Sequence, residues 1–225
     1  EAHEVEDVAG QYFGLSISTY QFQELRRDVA ALARQKEFGS QELDRILDAL
    51  GEHADSFFAL FPATEGRSGF RGQDEFLECH GDAYRMVRSA LELVGTHLQL
   101  IKDSPEETIP LFRRARELHD ALGAWMEHPV RSCVYWIERR GRGCFLQATP
   151  IDVAPLLSER LFDRVDTVVL TSATLAVAGT FEYARTRLGV QHARTLIVPG
   201  HFDFPSQALL YVPPHLPDPR DGAFS

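Results

Sequence analysis

Apolar residues recur every three or four positions through the first half of the chain, the spacing of one helix face. Val5, Val8, Ala9, Tyr12 and Phe13 open the pattern, and Phe22, Leu25, Val29 and Leu32 continue it. Leu43, Ile46, Leu47, Leu50, Ala54, Phe57 and Phe61 make a second long stripe, with Gly39-Ser40 before it as a stop and an N-cap. Leu77, Tyr84, Val87, Leu91, Val94, Leu98 and Ile101 make a third. Leu111, Ala115, Leu118, Leu122 and Trp125 make a fourth. Its start has two candidates: the cap Ser104-Pro105-Glu106-Glu107, or Pro110, since an interior proline kinks a helix. Each stripe is apolar on one side only, so these helices are expected to bury their stripes against one another as an antiparallel bundle. The link 62–74, rich in Gly, Ser and charge, is expected to be an exposed, mobile loop.

Near Pro129 the texture changes. The runs at 133–138 and 144–151 are strand-like, and Arg139-Arg140-Gly141-Arg142-Gly143 between them reads as a hairpin turn. A helix is expected from Pro155 to Phe162, then a buried strand at Val168-Val169-Leu170 that ends in Thr171-Ser172-Ala173-Thr174. A helix from Phe181 to Leu188, ended by Gly189, and strands at 195–198 and 208–212 complete the pattern. Alternating strands and helices predict an α/β class with a parallel or mixed sheet, interrupted by a large all-helical insertion.

Composition bounds the partners. With 44% hydrophobic and 25% charged residues among 225, the chain is ordinary for a globular protein. No apolar run approaches the ~20 residues of a membrane helix, so no membrane partner is expected. A net charge of −10 means that any nucleic acid must be met by local basic patches. The three cysteines, Cys79, Cys133 and Cys144, contain no Cys-x-x-Cys pair, which suggests free thiols in a reducing cytoplasm. They are one short of an all-cysteine iron–sulfur site, and no metal site is expected within the chain.

Small hydroxyl residues at a strand's carboxyl end are where α/β sheets place chemistry, although Ser and Thr also merely cap such ends. The order of two short motifs adds to this. Glu1-Ala2-His3 resembles the last three letters of the DEAH box, motif II of superfamily 2 helicases, and Thr171–Leu175 resembles motif III. The long helical insertion between them is similar to the arch domain of XPD/DinG-like helicases. The segments 134–157 and 201–219 resemble the bacterial DinG/YoaA branch, except that Gly200-His201 stand where that branch usually has Ser-Pro.

The resemblance implies an ATP-dependent 5′-to-3′ DNA helicase acting in repair or replication, with single-stranded or forked DNA as substrate and replication or repair proteins as possible partners. It divides the chain into the end of motif II (1–14), an arch-like insertion (15–129), the return of a RecA-like motor domain 1 with motif III (130–198) and the start of motor domain 2 (199–225). In the family, an Asp before Glu1 holds Mg²⁺ on ATP, and Glu1 would orient or deprotonate the attacking water. His3 would relay hydrolysis to movement through Ser172, Ala173 and Thr174. The chain has no G-x-x-x-x-G-K-[ST] phosphate cradle. The resemblance places that cradle, and any iron–sulfur cysteines, upstream of Glu1, so this segment alone is expected neither to hydrolyse ATP nor to unwind DNA.

For DNA the candidates are Arg113, Arg114 and Arg116 on the fourth helix, Arg139, Arg140 and Arg142 in the hairpin, and Arg67 and Arg71 in the link. Trp136 and Tyr135 alternate on a strand, so at most one faces solvent. The contrasting reading is a helical protein-interaction module without enzymatic activity.

Overall fold

The computed structural model describes residues 2–102, 104–127, 129–200, 202–211 and 220. Helix α1 (Ala2–Phe13) leads into strand β1 (Leu15–Ser18), and α2 (Thr19–Gln35) and α3 (Gln41–Ala59) follow. Strand β2 (Gly66–Gly69) precedes the long α4 (Gln73–Leu100) and α5 (Thr108–Met126). Strands β3 (Cys133–Arg140) and β4 (Gly143–Pro150) form a hairpin. The short α6 (Ala154–Leu157) runs into a π-turn at Ser158–Phe162, and α7 (Glu182–Leu188) and α8 (Phe204–Gln207) come last.

The four expected stripes become α2, α3, α4 and α5. Each packs against two of the others, so the bundle closes on itself. Leu25, Val29, Leu43, Leu50, Phe57, Val87, Val94, Ala115 and Leu122 are fully buried between them. Ser40 caps α3, its Oγ accepting the Leu43 N–H at 3.1 Å. Gln21 Oε1 accepts the Ser18 N–H at 2.7 Å, reaching back to close the first turn of α2. The fourth helix starts at Thr108, between the two candidate positions. Pro110 therefore lies in its first turn, where no carbonyl awaits the missing N–H. Ser104 still serves the start, its Oγ 2.6 Å from Thr108 Oγ1.

The sheet departs from expectation. It has four strands in the order β1-β4-β3-β2, and every pair is antiparallel, where a parallel or mixed sheet was expected. It belongs to the helical body: Ile17, Ile137, Leu146 and Ala148 share one core with the bundle. The insertion is thus not all-helical, because β1 and β2 arise within it. The link 62–74 is not a bare loop, since β2 pairs with β3 from Gly66↔Arg139 to Gly69↔Trp136. The hairpin turn at Gly141-Arg142 is as expected, with Gly141 at φ +57°, the backbone sign that two-residue hairpin turns favour.

A second, smaller apolar cluster joins Ala2 and Ala9 of α1 to Val153, Leu157, Ala184 and Leu188. Gly189 ends α7 at φ +71°, in the left-handed conformation of a helix C′ residue. The strands expected at 168–170, 195–198 and 208–211 do not form, and those residues pair with no other described strand. Their apolar side chains lie in solvent: Val169 is 75% exposed, Leu196 80% and Leu209 93%. An extended segment gets its backbone hydrogen bonds from a neighbour, and among the described residues no strand adjoins these.

Candidate functional site

Glu1 lies outside the described residues. Ala2 is buried in the small cluster, which fixes the start of α1, and His3 follows on its exposed side. At the other end of the sequence, Thr171–Thr174 form an exposed turn rather than a strand tip. The Thr174 N–H donates to Ser172 Oγ at 3.1 Å, and the two hydroxyl oxygens are themselves 3.1 Å apart. Leu175, directly after them, packs on the same cluster as Ala2. One small core therefore gathers the first described residue and the close of the Thr-Ser-Ala-Thr-Leu run. An ion pair reinforces the junction: Arg187 of α7 donates to both carboxylate oxygens of Glu6, with Nε to Oε2 at 3.0 Å.

The arginines divide into those used by the fold and those facing solvent. Arg114 bridges α5 to α2, donating to Asp28 Oδ2 at 2.7 Å with Glu24 at 3.9 Å. That hydrogen bond, first among its causes, holds the Asp28 carboxyl below its usual range. Arg139 reaches the end of α3 and donates to the carbonyls of Phe58 (2.6 Å), Phe61 (3.1 Å) and Pro62 (2.8 Å). The Phe58 carbonyl also takes the Phe61 N–H at 3.4 Å, and the Phe61 and Pro62 carbonyls lie just past the helix end, where a cation suits them. Arg113 and Arg116 stand on the exposed side of α5, 3.6 Å from Glu117 and 3.7 Å from Asp120. Arg140 lies over the Phe145 ring, 4.9 Å from its centroid, and Arg142 is exposed in the turn.

Among the described residues no three His, Cys, Asp or Glu side chains converge on a common point. Cys79 is exposed on α4, while Cys133 and Cys144 lie under the sheet, where burial raises both thiols. No described helix is long and apolar enough to cross a membrane.

No family model matches the chain. It is, however, 30% identical over 220 residues to the ATP-dependent DNA helicase YoaA of Escherichia coli, which covers 96% of this chain and 34% of that protein. It is 29% identical to YoaA of Haemophilus influenzae over 97% of this chain and 34% of that protein. A segment of 105 residues is 39% identical to the ATP-dependent helicase DinG of Mycobacterium tuberculosis, covering 43% of this chain and 16% of that protein. The chain belongs to the DinG/YoaA-like helicase family. It spans about a third of the length of the YoaA relatives, 34% of each.

In this DinG/YoaA-like chain the sequence left one arrangement unread. Strand parity sends Tyr135, Ile137 and Arg139 inward and Val134, Trp136, Glu138 and Arg140 outward. Tyr135 packs edge-on against Trp125 at 5.9 Å, while Trp136 lies on the other face with Arg67 over its ring at 4.7 Å. Alternation alone showed that the two aromatics part company. Which of them faces outward follows from the register that sets Ile137 opposite Leu146 in the core.

Proposed function

We propose that this chain is part of an ATP-dependent DNA helicase that couples ATP hydrolysis to 5′-to-3′ movement along single-stranded DNA. In this reading, residues 1–14 end motif II, 15–129 are the arch-like insertion, 130–198 return to motor domain 1, and 199–225 begin motor domain 2. The observation that supports it is the shared cluster of Ala2 and Leu175, two residues far apart in the sequence that meet on one small core. His3 and the Ser172–Thr174 turn are then positioned to pass a change at the nucleotide on to the DNA-moving parts.

ATP and Mg²⁺ supply the phosphoryl chemistry when bound. The chain has no phosphate cradle, and its motif residues offer one carboxylate, Glu1, for the attacking water, with the His3 imidazole and the Ser172 and Thr174 hydroxyls, rather than a full ligand set for Mg²⁺. His3, Ser172, Ala173 and Thr174 are therefore read as couplers and Glu1 as the group for the attacking water, and the nucleotide is held mainly by the rest of the longer protein. Thr174 and Ser172 already bond to one another, so a shift of His3 against either hydroxyl would change the turn as a unit.

The test uses the full-length protein. His3→Ala and Ser172→Ala/Thr174→Ala should keep DNA-stimulated ATP hydrolysis and lose strand separation. Unwinding at the parental rate in both variants would refute the coupling role. A second reading, a protein-interaction module, is favoured by one feature. Met86, Leu93 and Leu100 recur every seven residues on α4 and are 52%, 55% and 78% exposed. That reading has no enzymatic activity, so DNA-stimulated ATP hydrolysis by the full-length protein decides against it.

A further inference from the structure

The outward face of the antiparallel sheet carries aromatic rings and guanidinium groups in alternation. Trp136 of β3 lies under Arg67 of β2, at 4.7 Å from ring centroid to guanidinium carbon. Phe145 of β4 lies under Arg140 of β3 at 4.9 Å. Tyr20, just beyond β1, reaches the Phe145 ring at 5.8 Å and is 41% exposed. Trp136 pairs with Gln147 and Glu138 with Phe145, so the two main rings are diagonal neighbours, about 7–8 Å apart at their backbones. The rings thus run in a row, Trp136 on β3 to Phe145 on β4 to Tyr20 in the first turn of α2.

Helix α1 packs on β4 at one end of this face, where a Cβ built on Gly10 would lie 3.5 Å from the Thr149 methyl. Thr149 Oγ1 also accepts the Trp136 indole N–H at 3.1 Å, which holds the ring in place. The acids nearby are engaged: Glu138 pairs with Arg67 at 3.4 Å, and Glu65 accepts the Gly141 N–H at 3.1 Å. Arg71 and Arg142 stand exposed at its margins. In a chain of net charge −10, this is a local concentration of arginine beside flat apolar rings.

We infer that this sheet face is a stacking surface for single-stranded DNA. Bases have a π-face whatever their sequence, and aromatic rings on a sheet beside arginines are how sequence-tolerant single-strand binders hold them. Trp136 is half-buried beneath the guanidinium of Arg67, whose side chain is 70% exposed and held besides, among the described residues, only by a solvent-screened pair with Glu138. A base can take its place on Trp136, and the released guanidinium then meets a phosphate in bidentate fashion. The unpaired bases of the strand, rather than a duplex, fit a row of separate rings. The inference rests on the reading that DNA is the substrate.

The chain carries its own probe. It has two tryptophans: Trp125 is fully buried, and Trp136 is on the proposed surface. Titrating the 225-residue chain with a twenty-nucleotide oligo(dT) at low salt should quench tryptophan emission to saturation, and Trp136→Phe should abolish the quench. Arg67→Gln, at an exposed position, should weaken binding without disturbing the fold. In the full-length protein, Trp136→Ala should raise the DNA concentration for half-maximal ATPase stimulation by about tenfold and leave the maximal rate unchanged. Unchanged emission, with Arg67→Gln and Trp136→Ala matching the parent in DNA-stimulated ATPase, would overturn the inference and spare the helicase reading. DNA that fails to stimulate ATP hydrolysis at all would instead sink the helicase reading, and the emission titration would still decide the stacking surface.

Discussion

The bundle-and-sheet body and the stretch from 164 to 211 use similar apolar residues to opposite effect. In the body, Leu, Val and Phe at helical spacing close a core in which Leu25, Val29, Leu50, Phe57 and Leu122 have no exposure. In the later stretch, Val168, Val169, Leu170, Leu196, Ile197, Val198, Leu209 and Leu210 all remain in solvent. The difference lies in where each element finds its hydrogen bonds. A helix satisfies its backbone within itself and needs only one apolar side covered, so four helices with short links suffice. A strand needs a neighbouring strand, and a both-faced apolar strand needs a layer above and below as well. Apolar content is thus a promise of burial, and the partner that fulfils it need not be near in sequence.

Trp125 is the position where the contrast should be largest. It is fully buried, its indole donates to the Gln147 carbonyl at 3.1 Å, and its ring stacks on Phe70 at 4.7 Å. It therefore ties α5 to the sheet. Trp125→Ala should cost about 3–5 kcal/mol in urea unfolding. Leu209→Ala, at 93% exposure, should stay within about 0.5 kcal/mol of the parent. Amide exchange should show the same division, slow in β3 and β4 and fast through 165–170. Equal losses in the two variants would erase the comparison.

Gly189 tests whether the small cluster is a unit of its own. Its φ is +71°, and a Cβ there would sit 2.2 Å from the Ala154 carbonyl oxygen. Gly189→Ala should cost roughly 2 kcal/mol or more from backbone strain and that clash. The loss should be local: faster exchange and proteolysis at 182–190, with the midpoint of the body little moved. A drop shared by both regions would mean that they unfold as one.

Arg139 and its neighbour Arg140 sharpen the same point within one strand. Arg139→Ala removes the guanidinium from three carbonyls at the end of α3, of which only Phe58's keeps a backbone N–H among the described residues, and should cost about 1–3 kcal/mol, with Arg139→Lys recovering only part because an ammonium lacks the planar fork. Arg140→Ala, on the open face, should change stability by less than about 0.5 kcal/mol. Thermal melts of the three variants decide it, and equal melting temperatures would deny Arg139 its capping role.

The sequence was most legible where structure is local. The stripes of α2 to α5, the Ser40 cap, the Gly141 turn and the Gly189 stop all depend on residues within a few positions of one another. Strand β2 was illegible because Gly66-Arg67-Ser68-Gly69 has no strand preference of its own; it becomes a strand by pairing with β3. The parallel sheet was over-read because Val168–Leu170 and its counterparts look like buried strands whether or not neighbours are at hand. Among the candidate DNA arginines, the run Arg113-Arg114-Arg116 looked uniform. Helical rotation turns only Arg114 toward α2, and nothing in the run itself names the residue that Asp28 will meet.

That pair carries the smallest expected effect. Arg114 holds the Asp28 carboxyl below the ordinary aspartate range, so the folded state favours the ionised form more than the unfolded chain does. Such a group stabilises fully above the unfolded value, and the contribution is lost as pH falls through the lowered folded value. Both side chains are about a third exposed, 33% and 35%, so solvent screens the pair and its worth is about 0.5–1 kcal/mol. Asp28→Asn should therefore lower the melting temperature slightly at neutral pH, and the gap between variant and parent should close on acidification below about pH 4. It should also narrow in high salt, since the pair is partly open to solvent. A gap that stays constant from neutral pH down to pH 2 would assign the loss to altered packing between α2 and α5 rather than to the charge.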